Sequence, residues 1–304
     1  MIGDTTENLL DFSDPVNNQI NQVHQDTTFA TLSIGGNDIL FTKILKVCVF
    51  GITGQSNAKA CAEKQAESRA QMYSKDFHGR YYKVLDQLIT QKFEWTPDTH
   101  DTSVIYQTGY IQFFDDFTTQ CDDVKFIPVV PFAPKITQDL RRALNLIVHQ
   151  LNEVLQYWID LRNDPVTKFL SRKGEMQTFV SPIHWVDMDW RYMDHRFCRD
   201  GVKEPNRDDE ETWIFHAPAM PLIESQMQNE TYLNLIAERY PITWQPGRPD
   251  EPGYNDAGVA DPDERPFDPN DPIQVLASEK TVRTFHPKPA GFAAEAEELK
   301  AALY

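Results

Sequence analysis

The chain of 304 residues carries 29 basic and 46 acidic side chains, a net charge of −17 that repels phosphate backbones and anionic lipid heads and argues against nucleic acid as a partner. Apolar residues make up 40% and aromatic residues 12%, a composition that builds a globular core and excludes a disordered chain. No run of about 18 apolar residues occurs, so no transmembrane helix is expected. In chain order, the first predicted element is a strand at Thr27–Ile34, β-branched and apolar, stopped by Gly35-Gly36 and patterned for burial in a parallel sheet. A polar helical stretch follows from Ala62 to about Thr90, read as one long helix or two. Ser103–Thr108 is a second strand, ending at Gly109. Thr137 is a helix N-cap, and Leu140, Leu144, Ile147, Val148, Leu151, Val154, Leu155, Trp158 and Ile159 recur at three- and four-residue steps up to about Leu161. A third strand spans 178–186, weakened by Pro182, and a helix spans Phe292–Leu303.

Strands alternating with helices predict a parallel α/β sheet. The segment 241–272 is dense in Pro, Asp and Gly and reads as a long loop, uncommon unless functional. No internal repeat is present.

Of the four cysteines, none forms a CxxC pair, so a zinc site is a poor reading. Two disulfides, Cys48–Cys61 and Cys121–Cys198, fit an oxidising compartment; four free thiols in a cytosolic protein are the alternative. The sequon Asn229-Glu-Thr agrees with secretion and makes Asn229 a glycosylation candidate. Against this, the start Met1-Ile-Gly-Asp has neither the basic region nor the apolar run of a signal peptide. Together these features predict a segment upstream of Met1.

Two segments can carry chemistry. In Leu32-Ser-Ile-Gly-Gly-Asn-Asp-Ile-Leu40, a strand ends in two glycines and presents Asn37 and Asp38 at the carboxyl edge of the sheet, where ligands of open α/β sheets bind. An Asn amide donates to a developing oxyanion without losing a proton. By spacing alone the same residues make a turn, since Gly and Asn suit positive φ. In Arg283-Thr-Phe-His-Pro-Lys-Pro-Ala-Gly291, a loop histidine fixed by a following proline suits a general base. The other histidines, at 24, 78, 100, 149, 184, 195 and 216, have no partner spacing that singles them out.

Taken in order, these blocks resemble the SGNH family of ester hydrolases. Ser33-Ile-Gly-Gly-Asn-Asp38 is similar to its GxND block, and Phe285-His-Pro with Gly291 to its His block. Tyr106–Phe114, Gln120-Cys-Asp122 and Asp194-His-Arg-Phe-Cys198 resemble a secreted branch known in actinomycetes and filamentous fungi, and Gly3-Asp-Thr-Thr-Glu-Asn-Leu-Leu10 its glycine block. The resemblance implies a flavodoxin-like three-layer sheet with helices on both faces, in a single domain over 1–304. It implies ester hydrolysis with His286 as general base, and an oxyanion hole built from the Asn37 amide and the Gly3 backbone N–H. No metal or organic cofactor is implied.

Two departures stand out. The family's last block carries an Asp three residues before the His, where this chain has Arg283. Another group must orient the base: a backbone carbonyl, as in some members of the branch, or Asp187 or Asp189 by carboxylate chemistry. Also, no Gly-Asp-Ser block is present. Gly3-Asp-Thr mimics it only by letter, and Ser56 falls inside the expected Cys48–Cys61 loop, so no nucleophile is assigned. The family's serine strand is interior, so its loss would strip neighbouring strands of a partner, and a shortened N-terminus is expected. Two other readings are a non-catalytic secreted scaffold that binds through the same fold, and a generic α/β domain with chance motifs. Lipid, acetylated glycan and small soluble esters all fit as substrates.

Overall fold

A computed structural model describes residues 5–13, 18–24, 27–51, 57–89, 104–126, 133–163, 169–170, 176–177, 183–206, 209–214 and 285–303. The loop at 241–272, Gly3, Ser56, His100, His216, Asn229 and Arg283 lie outside them.

Three short strands form a parallel sheet in the order β1 (Phe29–Leu32), β2 (Val104–Thr108), β5 (Ile183–Val186). Phe29 pairs with Val104, and Ile105 with Ile183. Parallel neighbours need crossovers, and helices provide them. Between β1 and β2 run α3 (Phe41–Leu45), a π-helical turn (Lys46–Phe50), α4 (Ala58–Met72) and α5 (Lys75–Gln87); between β2 and β5 runs α6 (Gln138–Asn163). Ahead of β1 lie two short helices, α1 (Thr6–Leu10) and α2 (Gln19–Gln22). A two-stranded antiparallel ladder joins β3 (Phe169–Leu170) to β4 (Met176–Gln177), and α7 (Pro289–Ala302) follows the His286 segment.

Successive strand residues point to opposite faces. The Tyr81 hydroxyl of α5 reaches Gln107, while the Tyr106 hydroxyl donates to the carbonyl of Ala302 in α7. Helices therefore lie on both faces of this sheet. The periodic face of α6 is the buried one: Leu144, Ile147, Leu151, Leu155 and Ile159 are at most 2% exposed, and Trp158 packs on Phe77, His78 and Tyr81 of α5. Thr137 caps α6 through Leu140 N–H. The predicted stretch 62–90 is two helices, broken where Ser74 turns its hydroxyl to Phe77 N–H and starts α5. The third strand begins only at Ile183, directly after Pro182, whose missing N–H cannot join a ladder.

One expectation is corrected here. The pattern of residues 27–34 predicts a strand buried on both faces, yet Phe29 is 37% exposed and Thr31 is exposed. β1 ends the described strand order, so its side chains receive cover from one neighbouring strand only.

Both expected disulfides are present, Cys48–Cys61 and Cys121–Cys198. The second anchors the loop after β2, which α6 grips through Arg141. That guanidinium is fully buried, donating to the carbonyls of Ile136, Asp115 and Thr118 and pairing with Asp122 at 3.0 Å. Arg141→Met keeps most of the apolar stem but leaves these carbonyls without a donor. It should cost on the order of 3 kcal/mol in urea unfolding; a loss below about 1 kcal/mol would show that the loop does not depend on this side chain.

Candidate active site

β1 delivers its carboxyl end to the turn 33–40. Gly35 has φ +121°, and a Cβ there would stand 3.0 Å from the Phe77 ring. The chain then folds back, with Ile39 N–H donating to Gly35 O, Leu40 N–H to Asn37 O, and Phe41 N–H to Gly36 O to open α3. The residues thus form a turn, as their Gly and Asn content implies.

The turn is held from below by Tyr110. Gly36 N–H donates to the Tyr110 hydroxyl at 2.9 Å, and a Cβ on Gly36 would meet that ring within 3.1–3.3 Å. Tyr110 is itself clamped by Asn152 of α6, whose Oδ1 accepts Tyr110 N–H at 2.8 Å and whose Nδ2 donates to Tyr110 O at 2.7 Å. Burial pushes the Tyr110 hydroxyl up to about 12, offset in part by bonds with Gly36 and Ser33 and reinforced by the Asp38 charge. The Thr42 hydroxyl donates to Asn37 Oδ1 at 3.2 Å, which defines the other end of that amide as its N–H donors.

Asp38 departs from expectation. Its side chain is fully buried rather than presented at the edge. It accepts Thr6 N–H at 2.9 Å and the Thr6 hydroxyl, and lies 3.4 Å from the Arg80 guanidinium, which also donates to the Thr6 hydroxyl at 3.0 Å. The start of α1 is thereby fastened to the turn, with Thr5 and Asn8 forming a capping box.

His286, partly buried, sits between two anchors. Before it, Phe285 is buried at φ +68° among Phe50, Phe113, Phe114, Phe126 and Phe197. After it, Pro287 bridges Ile214, and Lys288 N–H donates to Trp213 O at 2.7 Å. α7 is then seated on the 3₁₀ turn Asp189–Tyr192. A Cβ on Gly291 would fall 2.5 Å from the Tyr192 hydroxyl, that hydroxyl donates to Glu295 at 2.8 Å, and Arg191 pairs with Glu298.

The rings connect the two blocks. Phe285 meets Phe113 at 4.8 Å, Phe113 meets Phe41 of α3 at 5.4 Å, and Phe285 also meets Phe50 at 5.9 Å. The segment carrying His286 and the helix leaving the Asn37 turn thus share one aromatic core. Of the orienter candidates, Asp189 Oδ1 accepts Gln112 N–H at 2.6 Å and pairs with Arg196 at 2.8 Å, while Asp187 accepts Asp189 N–H. Among the remaining histidines, His78 lies against Tyr82 and Trp158, His184 stacks on Tyr106, and His149 faces Glu153. His195 stacks on Trp213 at 3.4 Å with Nδ1 on the carbonyl of Glu211. Sequence reasoning missed Tyr110 and Asn152 as supports. Neither has a local signal, because their partners lie 74 and 42 residues away in the chain. Among the described residues no cluster of His, Cys, Asp or Glu could hold a metal, and no helix is long and apolar enough to cross a membrane.

No protein-family profile matches the chain, and no curated protein matches it. Among solved structures it is similar to a phospholipase A1 from Streptomyces albidoflavus NA297, at 18% identity and a TM-score of 0.44 over 64% of this chain. It is also similar to an extracellular lipase from Streptomyces rimosus, at 17% identity and a TM-score of 0.45 over 67% of each chain. The match spans 61% of the phospholipase's length.

Tyr110→Phe should leave the Gly36 N–H without its acceptor and cost about 1–3 kcal/mol in urea unfolding, whereas an unchanged midpoint would mean that the turn stands without it. Glu295 supplies a pH test. Burial raises its carboxyl above the ordinary 4.5, and the Tyr192 bond lowers it only in part. A raised folded-state value means that the folded protein holds this proton more tightly than the unfolded chain. Its stabilising contribution is full below pH 4.5 and is lost as pH rises through the folded value. Glu295→Gln keeps an acceptor for Tyr192 without the charge. The melting temperature of the variant should therefore gain on the parent as pH rises from about 4.5 to 7.5, and parallel curves would refute the assignment.

Proposed function

We propose that this protein is an ester hydrolase of the SGNH type, working by a Ser–His mechanism on a flavodoxin-like sheet. The observation that supports it is the shared aromatic core that seats the His286 segment against the helix leaving the Asn37 turn. In this reading His286 takes the nucleophile's proton and returns it to the leaving alcohol, and the Asn37 amide with the Gly3 backbone N–H receives the oxyanion. No Gly-Asp-Ser segment occurs in the 304 residues, so the serine belongs, in this reading, to a segment outside them. Secretion, glycosylation at Asn229 and a substrate-selecting role for the loop at 241–272 belong to the same reading, with the two disulfides in its favour.

The test joins genomic sequence to enzymology. The upstream reading frame should encode a Gly-Asp-Ser segment behind a signal peptide, and the extended polypeptide should hydrolyse a p-nitrophenyl short-chain ester. His286→Ala should lower kcat by about a thousandfold or more, and Asn37→Ala by about a hundredfold. An upstream region without that segment, or full activity in His286→Ala, overturns the reading and leaves the binding-scaffold alternative.

A further inference from the structure

We propose that His195 and Trp213 form a proton-dependent latch on the segment that carries His286, a device independent of the hydrolase reading. Their rings lie 3.4 Å apart between centroids and within 5° of parallel. That separation is the contact distance of two carbon layers, so it leaves no room for a lateral offset. Two neutral rings avoid such an eclipsed sandwich and prefer offset or edge-on pairs. An imidazolium over an indole face is different, because the ring quadrupole attracts a cation and Trp does so best. The stack is therefore the arrangement that a protonated His195 favours over a neutral one. His195 Nδ1 lies 2.7 Å from the carbonyl of Glu211, which can only accept. Nδ1 thus carries a proton in both states, and the second proton goes to Nε2. Imidazoles ordinarily make this change at about pH 6.5.

The latch reaches His286 through backbone bonds. Trp213 N–H donates to the carbonyl of His195 at 3.0 Å, and the carbonyl of Trp213 accepts Lys288 N–H at 2.7 Å. Ile214 bridges Pro287. Both residues that follow His286 are thus hung on the chain that holds the indole. Of the charges around the stack, Glu211 Oε2 lies 3.9 Å from Nδ1 but is 69% exposed, so solvent screens it. Arg196 pairs with Asp189, and Arg199 with Asp209, whose carbonyl also accepts from Lys288 Nζ. Glu204 accepts the N–H groups of Cys198 and Asn206. On the other side, the Tyr192 ring meets Trp213 edge-on at 5.9 Å, and its hydroxyl donates to Glu295 of α7.

The experiment follows backbone amide exchange in the chain as it stands, expressed as protection factors so that the intrinsic effect of pH is removed. Between about pH 7.5 and 5.5, protection of the Trp213 and Lys288 amides should rise by about threefold or more relative to amides of the α6 core. His195→Gln keeps a donor for the Glu211 carbonyl without the ring or the charge, and the rise should disappear. Glu204, Asp209 and Glu295 are present in both chains, so the difference belongs to the imidazole. His195→Arg lays a permanent planar cation on the indole and should hold both amides at the acid level at either pH. Glu211→Gln should keep the rise; its loss there assigns the effect to the ion pair and overturns the role of the stack. No rise in the parent, an equal rise in His195→Gln, or a rise retained in His195→Arg overturns the latch. If His195→Gln fails to fold, Trp213→Phe decides, since the weaker ring should shrink the rise and an undiminished one refutes the proposal.

Discussion

The structure depends on a buried set of phenylalanine rings centred on Phe285. Phe285 occupies the left-handed region, which costs a residue with a Cβ about 1–2 kcal/mol. Burying a Phe side chain recovers about 1.5–3 kcal/mol, and each well-placed ring pair adds about 0.5–1.5 kcal/mol. Phe285 meets Phe50, Phe113, Phe114, Phe126 and Phe197, so packing outweighs the backbone strain. The unusual φ is what turns Phe285 into the core while its successor, His286, remains partly accessible.

The same rings explain why the second disulfide matters to the site. Phe197 is adjacent to Cys198, and Phe126 follows Cys121 by five residues, so the bridge closes the wall on which Phe285 packs. In the chain-entropy account, a bridge between residues 77 apart constrains the unfolded chain by about 4.5 kcal/mol, and one between residues 13 apart by about 3 kcal/mol. For a sheet with three described strands, the first of them partly exposed, that is a large share of typical stability. Two such bridges suit an oxidising compartment.

Polar groups then set the fine geometry at the sheet edge. Tyr110 and Asn152 support the turn from the α6 side, and Asp38, Thr6 and Arg80 tie it to α1 and α5. These bonds are directional and buried, so each has few alternative arrangements. Hydrophobic packing links Phe285 to Phe41 of α3 through Phe113, and the polar ties give the turn its shape.

Much of the framework was legible in the sequence. The three- and four-residue steps of α6, the Thr137 cap, the strand ending at Gly109 and both cysteine pairings appear in the structure as the residues imply, whereas β1 ends at Leu32, short of Gly35. These are local signals: periodicity reports the backbone's own repeat, and caps and breakers act within a few residues. The sequence also marked Asn37 and His286 as residue types suited to the proposed chemistry. It did not reveal that Asp38 turns inward, that β1 is partly exposed, or that Phe285 links the two blocks. Each of those depends on which distant side chain arrives opposite, and that is decided only when long-range packing closes the chain and burial leaves a polar or aromatic group one partner to take.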